Sequence, residues 1–289
     1  MAKLGKLTVG IKNKPTIMGI INVSPESFYK NSVKTTRSKI SQTVRQMESD
    51  GAQIIDIGGM STAPYLKTTV SEKQESNRIT KAIKIVQNIS NIPISVDTCR
   101  ANVAKDALEN GVEIINDVSG LKYDKNMPKT IEKFQPSLIL CAYSKKIVSS
   151  KHVIETKRLL QESINIAKSI NISKNKIIVD PAIGFFRNSG TGFPFTKTKS
   201  NWVERDVTIL QNLSSIKNEF PLLVSVSNKS FLGKLTGKED PRDRLYASLA
   251  AELLSLTKGA DILRTHNVSA TKDILSIYKK LAQSIRKGL

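Results

Sequence analysis

Short apolar runs recur along the chain, and each breaks off into polar or turn residues before an amphipathic stretch begins. Eight can be read in order, at residues 17–23 (IMGIINV), 53–57 (QIIDI), 92–96 (IPISV), 112–116 (VEIIN), 137–142 (SLILCA), 176–180 (KIIVD), 221–226 (PLLVSV) and 260–264 (ADILR). They are rich in Ile and Val, as strands buried on both faces of a parallel sheet must be. Helical periods lie between them. In SKISQTVRQMESDGA the apolar positions are Ile40, Val44 and Met47, and Gly51 supplies a stop. TCRANVAKDALENGV closes in the same way on Gly111, and LYASLAAELLSLTKGA on Gly259.

Eight strands alternating with helices in 289 residues predict an α/β fold, a (β/α)8 TIM barrel. No repeat, linker or low-complexity tract divides it, so residues 1–289 read as a single domain. An open doubly wound sheet would need a glycine-rich phosphate loop after its first strand, and NVSPESF is not one. The stretch KLTVGIKNK near the N-terminus predicts a short β-hairpin closing the barrel floor.

The strand ends carry the chemistry. In a parallel barrel, ligands bind at the C-terminal ends of the strands. Here those ends read Asn22, Asp56, Asp97, Asn116 and Asp180, then Lys229, Arg264 and His266. Any one Asp or Asn alone is explained by a helix N-cap or a turn. Together they collect polar groups on one rim, which predicts a binding site. Carboxylates accept N–H bonds and an asparagine amide both donates and accepts. Asp97, Asn116 and Asp180 therefore suit a flat heterocycle with an amidine-like edge, such as an aminopyrimidinone. Lys229, Arg264 and His266 offer cationic donors for a phosphorylated group.

Composition narrows the partners. The net charge is +20, but the lysines are scattered over nearly every predicted helix and aromatic residues are few. Such a distribution decorates solvated faces and can attract anionic substrates; it does not predict a nucleic-acid or membrane partner. Two cysteines, Cys99 and Cys141, are too few for a disulfide framework or a zinc site. No window reaches the ~18 consecutive apolar residues of a membrane span, and MAKLGKLTVGIKNKP makes a poor signal peptide. A cytoplasmic setting is expected.

At these residues the sequence resembles the dihydropteroate synthase family. IMGIINVSPESF resembles the family's opening N-V-T-P-D-S-F motif, and GAQIIDIGGMSTAPY its G-A-D-I-I-D-I-G-G-E-S-T-R-P-G. ISVDT, IINDVSG, DPAIGF, SNKSFLG and LRTHNV match further segments in order. The resemblance implies a transferase that joins a 7,8-dihydropterin carrying a CH2-pyrophosphate to an arylamine and releases pyrophosphate. It implies pterin contacts at Asp97, Asn116, Asp180, Phe185, Lys229 and Arg264. Pyrophosphate contacts are implied at Asn22, Thr62, Arg264 and His266, with Mg2+ held at Asn22. Arylamine contacts are implied at Phe28, Pro64, Lys229 and Ser230. Asn22, Lys229, Arg264 and His266 would carry catalysis by charge stabilisation and positioning, with no covalent nucleophile. His152, the other histidine, falls in a helix pattern and is expected at the surface. On the same resemblance a homodimer is expected through the late helices around LYASLAAELLSL.

The departures are concentrated in the loops. The family's Asp in the first loop is Glu26, followed by YKNS in place of glycines. In the second loop the family's Glu, Arg and Gly are Met60, Ala63 and Tyr65. The Arg before the strand-seven lysine is Asn228, a nearby Gly is Ser225, and the strand-eight Asp is Asn267. An unfamiliar insert, RNSGTGFPFTKTKSNWVERD, follows DPAIGFF. Losing an arginine at position 63 removes a cationic donor, and Arg187, Lys197, Lys199 and Arg205 are the expected replacements. Asn228 and this insert would favour an arylamine bearing a ribosyl phosphate, as in methanopterin-type pathways, over 4-aminobenzoate. Two other functions are compatible with the pterin pocket: a non-catalytic pterin-binding paralogue and a pterin-dependent methyltransferase.

Overall fold

The computed structural model describes residues 1–12, 14–24, 35–61, 70–190 and 194–286, with side chains as far as residue 281. It opens with an antiparallel hairpin, β1 (Ala2–Leu4) and β2 (Leu7–Val9). The hairpin begins four residues before the stretch that predicts it, because Ala2 and Leu4 pair with Val9 and Leu7. Then come β3 (Thr16–Asn22), α1 (Arg37–Ser49), β4 (Ile54–Gly58), α2 (Glu72–Gln87), β5 (Ile94–Asp97), α3 (Ala101–Glu109) and β6 (Ile114–Asp117). They are followed by α4 (Met127–Phe134), β7 (Ser137–Cys141), α5 (His152–Ser169) and β8 (Ile177–Asp180). Two short strands, β9 (Phe186–Arg187) and β10 (Thr196–Lys197), pair with each other outside the main sheet. The chain ends with α6 (Trp202–Gln211), α7 (Leu213–Ile216), β11 (Leu223–Val224), α8 (Ser230–Thr236), α9 (Leu245–Thr257), β12 (Ile262–Thr265) and α10 (Val268–Arg286).

The eight-stranded sheet runs in the order β11-β12-β3-β4-β5-β6-β7-β8, and its pairings are all parallel. A bridge between Val179 and Leu222 brings β8 against the residue before β11 and draws the sheet into a barrel. This is the (β/α)8 barrel that the alternation of runs predicts. Each apolar run overlaps a barrel strand, and the mismatches are at strand ends. The run at 221–226 shortens most, to Leu223–Val224.

Alternation within the strands divides the core in two. Met18, Ile54, Ile114, Ile139, Ile178, Leu223 and Ile262 pack together with Ala2, Leu4 and Val9 of the hairpin. They form the barrel floor, which the hairpin plugs. Their neighbours on the opposite face, among them Ile17, Ile55, Ile115, Leu138, Ile177 and Leu263, pack against the surrounding helices. Both faces of each strand are thus dry, which is why the strands read as unbroken apolar runs.

The predicted helices form where the pattern places them. α1 buries Ile40, Val44 and Met47, and Thr36 caps it by accepting from the Lys39 N–H. Gly51, Gly111 and Gly259 all have positive φ, the left-handed turn that lets the chain leave a helix and enter the next strand.

Candidate active site

Two residues beyond the floor, the same inward face of each strand reaches the open rim. Counting up from Ile54, Ile114, Ile178 and Ile262 gives Asp56, Asn116, Asp180 and Arg264. A strand that is apolar for most of its length therefore ends on a polar side chain because that side chain crowns the barrel interior.

Arg264 is the hub of this crown. Its Nε donates to Asp56 Oδ2 at 2.6 Å and its Nη2 to Asp97 Oδ2 at 2.7 Å. Asn116 Nδ2 donates to the same Asp56 oxygen at 3.2 Å. Burial works against the Arg264 charge, and Asp56 and Asp97 outweigh it, so the guanidinium pKa rises. Burial lifts the Asp97 pKa above its ordinary value; Arg264 opposes the rise and the Asp56 charge adds to it. One cation is thus shared between two carboxylates in a poorly solvated site. Such an arrangement holds a second donor-rich partner well, because the Asp56 Oδ1 and Asp97 Oδ1 atoms are buried with no hydrogen-bond partner among the described residues.

Asp180 sits on the next sector of the rim. Its Oδ1 accepts from the Ala182 N–H at 2.7 Å, and Ala182 itself has φ of 58°. Burial raises the Asp180 pKa against that bond and the charges of Lys229 and Arg264. Lys229 approaches from the start of α8, its ammonium 4.2 Å from the centroid of the Phe185 ring. A Cβ on Gly184, where φ is +89°, would stand 2.8 Å from Lys229 Cδ. The glycine therefore provides the space in which Lys229 lies. Burial, reinforced by Arg264, lowers the Lys229 pKa to about 8. The expected pterin-contact residues, Asp97, Asn116, Asp180, Phe185, Lys229 and Arg264, are all brought to one mouth.

Asn22 ends β3, where its Oδ1 would lie 3.1 Å from a Cβ on Gly58 of β4. His266 follows β12, with its backbone N–H donating to Ser227 Oγ at 3.2 Å. It is not the cation that the sequence suggests. Burial, then the charges of Arg264 and Lys229, push its pKa down to about 3, so the imidazole is neutral at pH 7. Phe28, Thr62 and Pro64, and the altered positions Glu26, Ala63 and Tyr65, lie outside the described residues. Met60 is buried. His152, expected at the surface, is the half-buried first residue of α5.

The insert is built differently from the expectation of loose replacement cations. Arg205 is 1% exposed and its guanidinium lies 3.7 Å from the Phe186 ring centroid. It donates to Ala182 O, Pro181 O, Thr156 Oγ1 and Asp206. Arg205 thus holds the loop after β8 from behind, leaving no role at the leaving group. Asp206 accepts from the Gly184 N–H at 3.0 Å and fixes the same loop. Arg187 stacks 3.9 Å from the Trp202 ring and donates to Ser230 Oγ at 2.6 Å. Lys197 and Lys199 are exposed. Asn228 also departs from expectation. It is buried with φ of 56°, its N–H donates to Ser248 Oγ, and its carbonyl accepts from Arg244. It shapes the turn before Lys229, a left-handed position that asparagine tolerates.

Two residues with structural consequences are absent from the expected ligand set. Asp56 is the anchor of Arg264 and Asn116; the signal was the one acid inside QIIDI. Glu252 is 1% exposed on α9 and accepts from Thr271 Oγ1 at 2.7 Å. Thr271 meets Thr265 at 3.0 Å, and Thr265 Oγ1 accepts from the Asn267 N–H. This buried chain braces the segment that carries Arg264 and His266. Its signal was one acid inside the apolar LYASLAAELLSL.

Comparison with known proteins agrees with this geometry. Residues 18–266 match the family of pterin binding enzymes. A dihydropteroate synthase of Streptococcus pyogenes serotype M1 is 32% identical, over 96% of this chain and 99% of its own. A dihydropteroate synthase from Clostridium difficile, solved in the presence of pteroic acid, superposes with a TM-score of 0.81 at 32% identity, covering 95% of this chain and 98% of that one. The Xanthomonas albilineans enzyme, solved with 4-aminobenzoic acid, gives a TM-score of 0.78 at 31% identity, over 93% of each chain. With a matching barrel, a matching length and the expected polar crown at its mouth, this chain belongs to the dihydropteroate synthase family.

Proposed function

We propose that the enzyme condenses a 7,8-dihydropterin-CH2-pyrophosphate with 4-aminobenzoate and releases pyrophosphate. The observation that carries this reading is the convergence of Asp97, Asn116, Asp180, Lys229 and Arg264 over a dry barrel floor. Asp97 and Asp180 accept from the amino and ring N–H groups of the pterin, and Asn116 both donates and accepts. Lys229 donates to the pterin carbonyl edge, and Arg264 covers the ring while remaining paired to Asp97. The C–O bond to pyrophosphate breaks, the C–N bond to the amine forms, and the amine loses one proton. No side chain is needed as a covalent nucleophile; catalysis is placement plus stabilisation of negative charge on the leaving group.

Arg264 and the neutral His266 are the residues beside the departing phosphate, His266 as a hydrogen-bond donor. Mg2+ fits Asn22, whose amide oxygen is a hard ligand at the rim. Mg2+ commonly keeps waters and substrate phosphate oxygens as its other ligands, and Asn22 would supply one protein oxygen beside them. When bound, the ion supplies neutralisation of pyrophosphate charge. 4-Aminobenzoate is favoured over a ribosyl-phosphate amine because Arg205 and Asn228, on which the alternative leaned, are committed to internal hydrogen bonds.

The chain works as one barrel domain and as a homodimer in this reading. Among the described residues no helix is long and apolar enough to cross a membrane, and the two free cysteines are buried, which supports a reducing, cytoplasmic setting. The test is direct. Purified protein, the pterin pyrophosphate, Mg2+ and 4-aminobenzoate should yield 7,8-dihydropteroate and pyrophosphate in equal amounts. Loss of most activity in Asn22→Ala is expected, and full activity in excess chelator would remove the metal from the scheme.

A further inference from the structure

Glu75 is a carboxylate on the buried side of its helix. It shares the inner face of α2 with Ile79 and Ile83 and is 1% exposed. Burial disfavours its charge and raises its pKa, and Arg100 opposes the rise. Both of its oxygens are used. Oε1 accepts from the Thr98 hydroxyl at 2.8 Å, and Oε2 accepts from Arg100 Nη1 at 2.7 Å. The same Arg100 nitrogen donates to Val70 O at 3.0 Å. The Thr98 hydroxyl in turn accepts from the Arg100 N–H at 3.2 Å.

This cluster stands behind the crown. β4 and β5 pair with Gly58 opposite Asp97. Asp97 points to the barrel mouth, where it accepts from Arg264. Thr98, the next residue, turns its side chain the other way, to α2. Its N–H donates to Asn116 O at 3.1 Å, so the turn after β5 is tied to β6 on one side and to α2 on the other. A Cβ on Gly59 would stand 3.0 Å from Glu75 Cγ and 2.7 Å from Ile79 Cγ1. The glycine after β4 therefore lets α2 lie against the strand ends. The Glu75 stem abuts the end of β4 and its head holds the end of β5. These are the strands that carry Asp56 and Asp97, the two carboxylates that share Arg264.

We propose that Glu75 and Arg100 are positioning residues for the pterin pocket, holding from behind the sheet the Asp97–Thr98 turn that aims the Asp97 carboxylate. The proposal rests on the reading of Asp97 as a pterin contact. Asp97 Oδ2 is engaged by Arg264, and Oδ1 is buried with no hydrogen-bond partner among the described residues. The direction in which Oδ1 points is thus set by Arg264 and by the backbone that carries the side chain. A hydrogen bond weakens steeply as it bends, so a small rotation of this turn loses pterin affinity while the barrel stays folded. Glu75 and Arg100 act through Asp97 and have no need to reach the pterin themselves.

Calorimetry with 6-hydroxymethylpterin, paired with thermal melts, tests this on the full chain. Arg100→Met removes the donor to Glu75 and Val70. Thr98→Val removes only the hydroxyl and keeps the side-chain shape. Each should weaken pterin affinity about tenfold, the scale of one lost hydrogen bond. Arg100→Lys can still reach both acceptors and Thr98→Ser keeps the hydroxyl, so both should stay within about twofold of the wild type. In an Asp97→Asn background, Arg100→Met should cost a further factor of about two at most, because a residue acting through Asp97 has little left to act on. A purely structural role would lower the melting temperature in both backgrounds and leave the affinity of the folded protein alone. Undiminished affinity in Arg100→Met and Thr98→Val, or the same loss with and without Asp97→Asn, overturns the proposal. If the wild type binds no pterin, the condensation reading fails separately, and hydrogen exchange across residues 95–101 decides the clamp. Arg100→Met should then exchange about tenfold faster there, and unchanged exchange counts against it.

Discussion

Arg264 and Asp97 are 167 residues apart in sequence and 2.7 Å apart at the barrel mouth. The same guanidinium bonds Asp56 of β4, so one side chain from β12 spans the rim to two strands beyond its sheet neighbour. Removing it leaves two carboxylates in a site that solvates neither. Breaking a buried pair from one side costs roughly 3–5 kcal/mol. Arg264→Ala should therefore lower the denaturation midpoint markedly as well as abolish turnover. An unchanged midpoint in urea would mean that solvent screens the three groups.

Asp97 and Asp180 should separate when each is changed. Asp97 accepts only from Arg264 among the described side chains, and burial disfavours its charge. Asp97→Asn should fold with near-normal stability yet bind a pterin some 10–100-fold more weakly, the worth of one charge-assisted bond at about 1.5–3 kcal/mol. Asp180 also holds the Ala182 N–H. Asp180→Ala should lose the pterin and in addition about 1–2 kcal/mol of stability. Calorimetry with a pterin, paired with thermal melts, checks both, and equal melting losses would contradict the distinction.

Glu252 makes stability depend on pH. Burial raises its pKa to about 7, against the hydrogen bonds from Thr271 and Thr265. The folded state therefore keeps a proton that the unfolded chain releases near pH 4. Its contribution to stability is fully present below that value and is lost as pH rises through about 7. Glu252→Gln carries no such titration. It should match the wild type in acid and exceed it at pH 8, by an amount on the order of 3 kcal/mol at most. Parallel pH profiles for the two proteins would refute the assignment.

The homodimer expectation concerns the outer surface. Tyr246 at the start of α9 is 83% exposed and Leu235 of α8 is 57% exposed, and Tyr246 lies on the late helix where the family resemblance puts the dimer contact. Light scattering should report a dimer at micromolar concentration. Tyr246→Lys should shift it toward monomer, and a wild-type monomer at that concentration would refute the expectation.

What the sequence determined by itself was the fold and the identity of the rim. Runs such as IIVD read as strands buried on both faces, because three consecutive Ile or Val positions in a short run bounded by turn residues fit the core of a parallel sheet, and the polar residue ending such a run reaches the ligand side. The period of two then fixes which residue crowns the interior, so Asp97, Asn116, Asp180 and Arg264 were legible before any coordinate. Only tertiary structure decided the pairings. Asp56 was visible as a polar strand residue, but its bond to Arg264 spans 208 positions, and no local pattern encodes a contact of that separation. Charge alone also misled at the insert and at His266. Whether a cation is available depends on what packs around it: Arg205 is consumed by Phe186, Asp206 and three acceptors in the loop and helix behind the site, and desolvation beside Arg264 and Lys229 keeps His266 neutral. Burial and partner choice are properties of the assembled barrel, since they are set by residues that meet only when its eight strands close.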